Sequence, residues 1–240
     1  MRFAPMPPAW NPVAQVHRIG AEQEPVVVID DYARDPGAMV EEAARLDFGP
    51  NGAFFPGVRA KAPDALALSI RQSLAGMIRE VFGVTDDLDR MECWWSLLTT
   101  PPSSLSPHQR LPHFDGLGPQ RIAVLHHLGR GEGTATAFYR HRATGFETMT
   151  AARLPAYNAA VNAELARHGL PPAAYADGGG PSFERIAAFE ARFNRLLVYR
   201  GNTLHSANVA PGVALPADPR LGRFSVNSFI WLEAPQALTK

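Results

Sequence analysis

Apolar positions along the chain change their spacing near residue 90. Before that point most of them repeat as a helix does. The first run, Val26-Val27-Val28-Ile29, is the exception: β-branched and bounded by Pro25 and Asp30-Asp31, it reads as a buried strand. Asp35-Pro36 then supplies a cap and a first-turn proline for a helix to about Leu46, with Met39, Val40, Ala43 and Leu46 near one face and Gly49-Pro50 as its stop. A second helix fits Pro63 to Phe82, where Leu66, Ile70, Leu74, Met77, Ile78 and Val81 form a core-facing stripe.

From Met91 the segments become rich in aromatic and β-branched residues, and strands are expected at about 91–99, 121–128, 134–142, 196–200 and 223–232. Between the third and fourth, residues 150–195 read as a helical insertion. Its Leu154 to His168 and Phe183 to Asn194 portions look helical, around a break at Gly178-Gly179-Gly180-Pro181. Inserts of this length either cover a site or simply pack. The opening Pro5-Met6-Pro7-Pro8 is an irregular arm, and no repeat or linker divides the chain. One domain is therefore expected over 1–240, with strand and helices in 1–90 and a β framework in 91–234.

Composition narrows the partners. The 240 residues are 46% hydrophobic, enough for a substantial core, and 23 basic residues against 23 acidic ones leave no net field to favour nucleic acid or an anionic membrane. The expected partner is a small molecule or a peptide or protein. The single cysteine, Cys93, sits in an apolar run, which excludes an internal disulfide framework and multi-cysteine metal sites; a buried structural thiol is expected. Residues Met1 to Asn11 lack the pattern of a secretory signal, and no stretch approaches the about 20 apolar residues of a membrane span, so the default location is cytoplasmic.

The chemistry concentrates in Leu111-Pro112-His113-Phe114-Asp115-Gly116. Two positions apart on an extended backbone, His113 and Asp115 project to one side and can take adjacent places on one metal, while Phe114 packs away and Gly116 allows the chain to turn. A third ligand candidate, His205, follows the apolar run Leu196-Leu197-Val198-Tyr199 and the turn Arg200-Gly201-Asn202. Two imidazoles and one carboxylate can occupy one octahedral face and leave three positions open. Downstream, alternation in Arg223-Phe224-Ser225-Val226-Asn227 puts Arg223, Ser225 and Asn227 on one face of a strand. A guanidinium grips a carboxylate through two parallel bonds, and a nearby hydroxyl adds a third, a clamp suited to the distal carboxylate of 2-oxoglutarate. A surface salt bridge is the plainer role for Arg223.

The order His-x-Asp, distant His, then Arg-x-Ser resembles the iron(II)- and 2-oxoglutarate-dependent oxygenases over roughly Met91 to Ala234. Val28-Ile29-Asp30-Asp31 followed by a helix is similar to the entry of their prolyl-hydroxylase-like branch. Gly133 to Arg142, with Thr144-Gly145-Phe146-Glu147, resembles an uncharacterised bacterial group. The resemblance implies a mainly β fold with supporting helices, a double-stranded β-helix or jelly roll. It implies that His113, Asp115 and His205 hold Fe(II), that Arg223 and Ser225 bind 2-oxoglutarate, and that a dioxygenase hydroxylates or demethylates a substrate. Because Asp115 is present, halogenation is disfavoured. Arg223 follows His205 at a longer interval than is usual in the family, and Pro211, Pro216 and Pro219 mark an inserted loop there. Relatives also often carry a tyrosine where this chain has His127, which takes its place as a donor to the cosubstrate or else is a core histidine satisfied by a backbone carbonyl; His126 would face the other side. Arg140, His141 and Arg142 could receive an anionic substrate or form a solvated strand end, Tyr139, Trp94 and Trp95 could line a pocket or fill core, and His17, His108 and His168 read as surface residues. Two other functions use the same trio: a zinc hydrolase, for which Arg223 has no evident use, and a non-catalytic jelly-roll sensor or metal-binding protein.

Overall fold

The computed structural model describes residues 12–84, 88, 90–176 and 180–232. The proline-rich arm and Gly178-Gly179 lie outside the described residues. In chain order the elements are β1 (Ala14–Ile19), β2 (Glu24–Ile29), α1 (Pro36–Ala43), β3 (Gly49–Pro50), β4 (Gly57–Lys61), α2 (Asp64–Phe82), β5 (Arg90–Leu98), β6 (Arg121–His127), β7 (Gly131–His141), α3 (Leu154–His168), β8 (Phe183–Ala191), β9 (Arg195–Arg200), β10 (His205–Val209) and β11 (Arg223–Trp231).

Local chemistry explains the helix ends. The Asp35 carboxylate accepts from the Ala38 N–H and Pro36 fills the first turn, so α1 starts where expected. It stops at Ala43, a turn short of Leu46, which is left exposed. α2 ends at Gly83, whose left-handed backbone (φ 64°) lets its N–H reach the Arg79 carbonyl. Ala67, Ile70, Leu74, Ile78 and Phe82 form its buried stripe, with Leu66, Met77 and Val81 half-buried beside it.

The strands form two antiparallel sheets, one of eight strands in the order β1-β2-β9-β6-β11-β5-β4-β3 and one of three in the order β10-β7-β8. Strand alternation sorts the side chains of the large sheet. Trp95, Leu97, Val124, Val198, Phe224 and Val226 meet α1 and α2 on one face. On the other, Val26, Val28, Leu125, Leu197 and Tyr199 meet Phe138, Ile186 and Phe189 of the small sheet. Both faces of the central strands are thus covered, which is why Leu196 to Tyr199 reads as one unbroken apolar run. Outside the small sheet, Tyr157 and Val161 of α3 pack against Ala137, Tyr139 and Phe183. Among the described residues, no helix is long and apolar enough to cross a membrane.

One expected helix is a strand. Residues 183–191 pair with β7, from His141 opposite Phe183 to Gly131 opposite Ala191. The register slips between Phe138 and Tyr139, whose partners Ala187 and Arg185 skip Ile186. That bulge shifts the phase of alternation, so Phe183, Ile186 and Phe189 fall at helix-like intervals in a segment rich in alanine and glutamate. Sheet pairing overrides the local pattern. Among its described residues the stretch 150–195 therefore holds one helix, and β8 completes the small sheet.

Candidate metal centre

The segment joining β5 to β6 passes along the edge of β10. His113 and His205 exchange both backbone hydrogen bonds at 2.8 Å, and the Asp115 N–H donates to the Gly201 carbonyl at 2.7 Å. This pairing extends the backbone from 113 to 115, so alternation turns His113 and Asp115 to one side and sends Phe114 the other way, against Tyr157 of α3. Gly116 keeps an ordinary backbone; the left-handed turn falls two residues later, at Gly118 (φ 100°).

Each of His113, Asp115 and His205 offers one donor atom, all within 4.8 Å of one another. His205 Nε2 lies 3.3 Å from Asp115 Oδ2 and His113 Nε2 lies 3.9 Å from Asp115 Oδ1, with the two imidazole centroids 4.4 Å apart. Ligand bonds of about 2.1 Å at right angles need donors about 3 Å apart, so small side-chain adjustments bring the trio onto one ion. The tautomer of His205 also fits: Nδ1–H donates to the Thr203 carbonyl at 2.8 Å, which leaves the Nε2 lone pair for the centre. Burial opposes charge on both members of the His205–Asp115 pair, but each partner outweighs it, raising the pKa of His205 and lowering that of Asp115. Desolvation by the surrounding walls, then His205, holds His113 down to about 4. Its ring still leaves 52% of the side-chain surface open, which marks the accessible side of the trio.

The turn that presents His205 is pinned by residues 147–149. Leu204 N–H donates to the Glu147 carbonyl and Met149 N–H to Asn202, each at 2.8 Å, and Asn202 Nδ2 returns a bond to Met149. The Glu147 carboxylate, nearly inaccessible, accepts from the N–H groups of Ala21 and Glu22 at 2.9 Å and from Arg140 at 2.7 Å. Glu22 reciprocates, accepting from the Glu147 N–H, Thr148 and Arg153. A Cβ on Gly20 would fall 2.1 Å from a Glu147 oxygen, so only glycine fits there. Residues 147–149 are thus a clasp between the β1–β2 turn and the turn before His205. Contacts within the fold occupy Arg140 and bury His141, while Arg142 stays exposed, as a solvated strand end would. Arg140 bonds Glu147 and Glu184, His141 is buried between Thr144 and Glu164, and Arg142 donates to the Phe183 carbonyl.

Arg223 and Ser225 turn from the helix-side core toward the small sheet, while Phe224 and Val226 enter that core, as alternation requires. Arg223 is 6% exposed, its Nε is buried without a partner, and Nη2 makes one long contact of 3.5 Å to the Ala135 carbonyl. No carboxylate among the described residues pairs with it, so it is not a surface salt bridge. Burial pulls its pKa down to about 10. Ser225 stands opposite His127 on β6 and bonds Asn227 at 2.7 Å, not Arg223. Among the described residues neither buried ring nitrogen of His127 has a partner, so no backbone carbonyl there satisfies it; burial first, then Arg223, pushes its pKa well below the usual value. His126 faces the other side, 3.0 Å from Asn194 and edge-on to Tyr32.

Sequence reasoning passed over Tyr199 and Arg59. The Tyr199 ring lies 4.9 Å from that of His205, and its phenol feels the charges of both Asp115 and Arg223, which links the trio to the cation. Its signal was the one polar tip in an apolar run. Trp95 stacks on Phe224 in the core, Tyr139 is buried with its hydroxyl on the Ala176 carbonyl, and His17, His108 and His168 are exposed. Cys93 is buried, and its thiol meets the Ser228 hydroxyl at 3.2 Å. A cavity of about 300 Å³ lined by Val161 and Leu165 of α3 with Leu111, Pro112, Tyr175 and Phe183 contains none of the trio.

Residues 10–230 match DUF6445, a family of unknown function. The chain belongs to this family. No curated protein matches the sequence. Among solved structures, HygX from Streptomyces hygroscopicus with nickel, 2-oxoglutarate and hygromycin B bound is similar at a TM-score of 0.52 and 13% identity, over 91% of this chain and 85% of that one. HygX with nickel and 2-oxoglutarate gives 0.52 at 12% identity, over 87% and 84%. A Pseudomonas putida prolyl-4-hydroxylase gives 0.47 at 9% identity, over 89% and 95%. The likeness of this DUF6445 chain to HygX is one of fold.

Proposed function

We propose that this DUF6445 chain is an Fe(II)- and 2-oxoglutarate-dependent oxygenase, built as one domain on a double-stranded β-helix. The observation that carries the reading is a pairing: a two-histidine, one-carboxylate trio, and on the wall beside it a buried arginine with no counter-charge among the described residues. HygX, which shares the fold, is described with nickel and 2-oxoglutarate, and imidazole ligands suit nickel and iron alike.

His113, Asp115 and His205 would hold the metal, and Arg223 would hold the distal carboxylate of 2-oxoglutarate. Bound iron and cosubstrate would supply the oxidation of a substrate C–H bond by dioxygen, with 2-oxoglutarate leaving as succinate and carbon dioxide. The residues orient and exclude. Thr203 fixes the His205 tautomer, His127 offers an N–H toward the cosubstrate, and Tyr199 and Phe138 wall the pocket against water. Ser225, on the same face of β11 as Arg223, would add its hydroxyl to the clamp. An ionised Asp115 as third ligand favours hydroxylation or demethylation over halogenation. A zinc hydrolase would leave the Arg223 guanidinium without a task.

The test is calorimetric titration of 2-oxoglutarate into Mn(II)-loaded protein. Arg223→Gln should weaken binding at least about 100-fold, about 2.7 kcal/mol, with Mn(II) affinity unchanged. Equal cosubstrate affinity in the two proteins would refute the clamp.

A further inference from the structure

A second cation faces the pocket from the outer part of the large sheet. Register runs laterally from His127 through Ser225 and Ser96 to Arg59, across β6, β11, β5 and β4. Directly opposed residues of antiparallel strands share a face. Val58 and Ala60 pack into the helix-side core, so Arg59 and Lys61 project to the side of the trio. Arg59 donates from Nε to the Ser96 hydroxyl at 3.1 Å, and its guanidinium lies 4.1 Å from the centroid of the Phe55 ring. These contacts fix its plane and leave both terminal nitrogens without a protein partner among the described residues. No carboxylate there forms an ion pair with it. The charge nevertheless reaches the trio: it helps to hold His113 down, and Asp115 works against the burial that lowers Arg59. Lys61 adds a second positive charge on the same face, 5.1 Å from the Trp94 ring.

We propose that Arg59 is the anchor for the acid group of the primary substrate, a small molecule bearing a carboxylate or phosphate whose body lies between Phe55 and Trp94. The word substrate rests on the oxygenase reading; the oxyanion site does not. Two cations at different depths divide the work. Arg223, buried deep, meets the cosubstrate, and the half-buried Arg59 meets the molecule that enters after it. A planar fork with one edge already held by Ser96 presents two parallel N–H donors, the arrangement that a carboxylate or phosphate edge matches.

The test is an NMR titration of the ¹⁵N-labelled full chain with phenylacetate, phenyl phosphate and the neutral phenylacetamide, with and without Zn(II) and 2-oxoglutarate. The wild type should bind at least one acid tenfold or more tightly than the amide, and the better of the two acids tells carboxylate from phosphate. Arg59→Gln should erase that preference and Arg223→Gln should keep it, while Arg59→Lys, which retains charge without the fork, should keep only part of it. If Arg59→Gln does not fold, full preference in Arg59→Lys overturns the proposal. It is also overturned if neither acid exceeds the amide in the wild type, or if the preference survives in folded Arg59→Gln. Failure of 2-oxoglutarate to shift any resonance of the Zn(II) protein would sink the oxygenase reading and leave the acid preference standing on its own.

Discussion

Arg223 carries a buried charge that no carboxylate among the described residues balances, and such a group destabilises a fold unless a ligand completes it. Arg223→Leu should therefore stabilise the ligand-free protein, by about 1–3 kcal/mol, while abolishing 2-oxoglutarate binding. Urea denaturation checks the first part and calorimetry the second. A structural arginine would give the opposite sign in urea. His126 makes a separate prediction. Burial holds it at about 4, against an ordinary 6.5, so on acidification the unfolded chain takes up a proton before the folded one does. The stability it leaves intact above 6.5 is lost as pH falls toward 4, at about 1.4 kcal/mol per pH unit. Denaturation midpoints at pH 7 and 5 should show that loss, and His126→Asn should flatten the slope by about one proton. An unchanged slope would mean that His126 is already protonated in the fold.

At the scale of elements, the clasp between Glu147 and the β1–β2 turn has two consequences. Glu147→Ala would strip the carboxylate from Arg140 and two backbone N–H groups, costing about 3 kcal/mol. It should also loosen the turn before His205 and weaken metal binding, although Glu147 touches no ligand atom. Gly20→Ala should reproduce both effects by steric conflict. Thermal melts and metal titrations of the two variants test this, and a stability loss with no change in metal affinity would uncouple clasp from centre. The same network shows where sequence reading reaches its limit. α1 and α2 were legible because their caps and apolar stripes repeat as a helix requires, and the central strands of the large sheet because burial on both faces leaves short β-branched and apolar runs. β8 was not, because a bulge at Ile186 breaks its alternation. β1 shows only Ile19 buried, and β10 (His-Ser-Ala-Asn-Val) has no alternation to read. In the site, His113, Asp115, His205 and Arg223 announced themselves by residue type and spacing. Arg59 and Tyr199 depended on which strands pair and in what register, and only tertiary structure sets that.

Across the whole molecule, the trio ties the segment before β6 to the edge of the small sheet, two parts of the chain far apart in sequence. A metal that binds only the folded chain stabilises it by about 2.7 kcal/mol at a hundred times its dissociation constant, a rise in Tm of about 5–10 °C for a domain of this size. Mn(II) should produce that rise in the wild type and not in Asp115→Ala, by differential scanning calorimetry. The most direct test of the central claim is anaerobic visible absorption of the Fe(II) protein titrated with 2-oxoglutarate. A metal-to-ligand charge-transfer band should appear, saturate at one iron and one 2-oxoglutarate per chain, and be lost in folded His205→Ala. Absence of the band in the wild type, or its survival in folded His113→Ala, Asp115→Ala and His205→Ala alike, would contradict the claim.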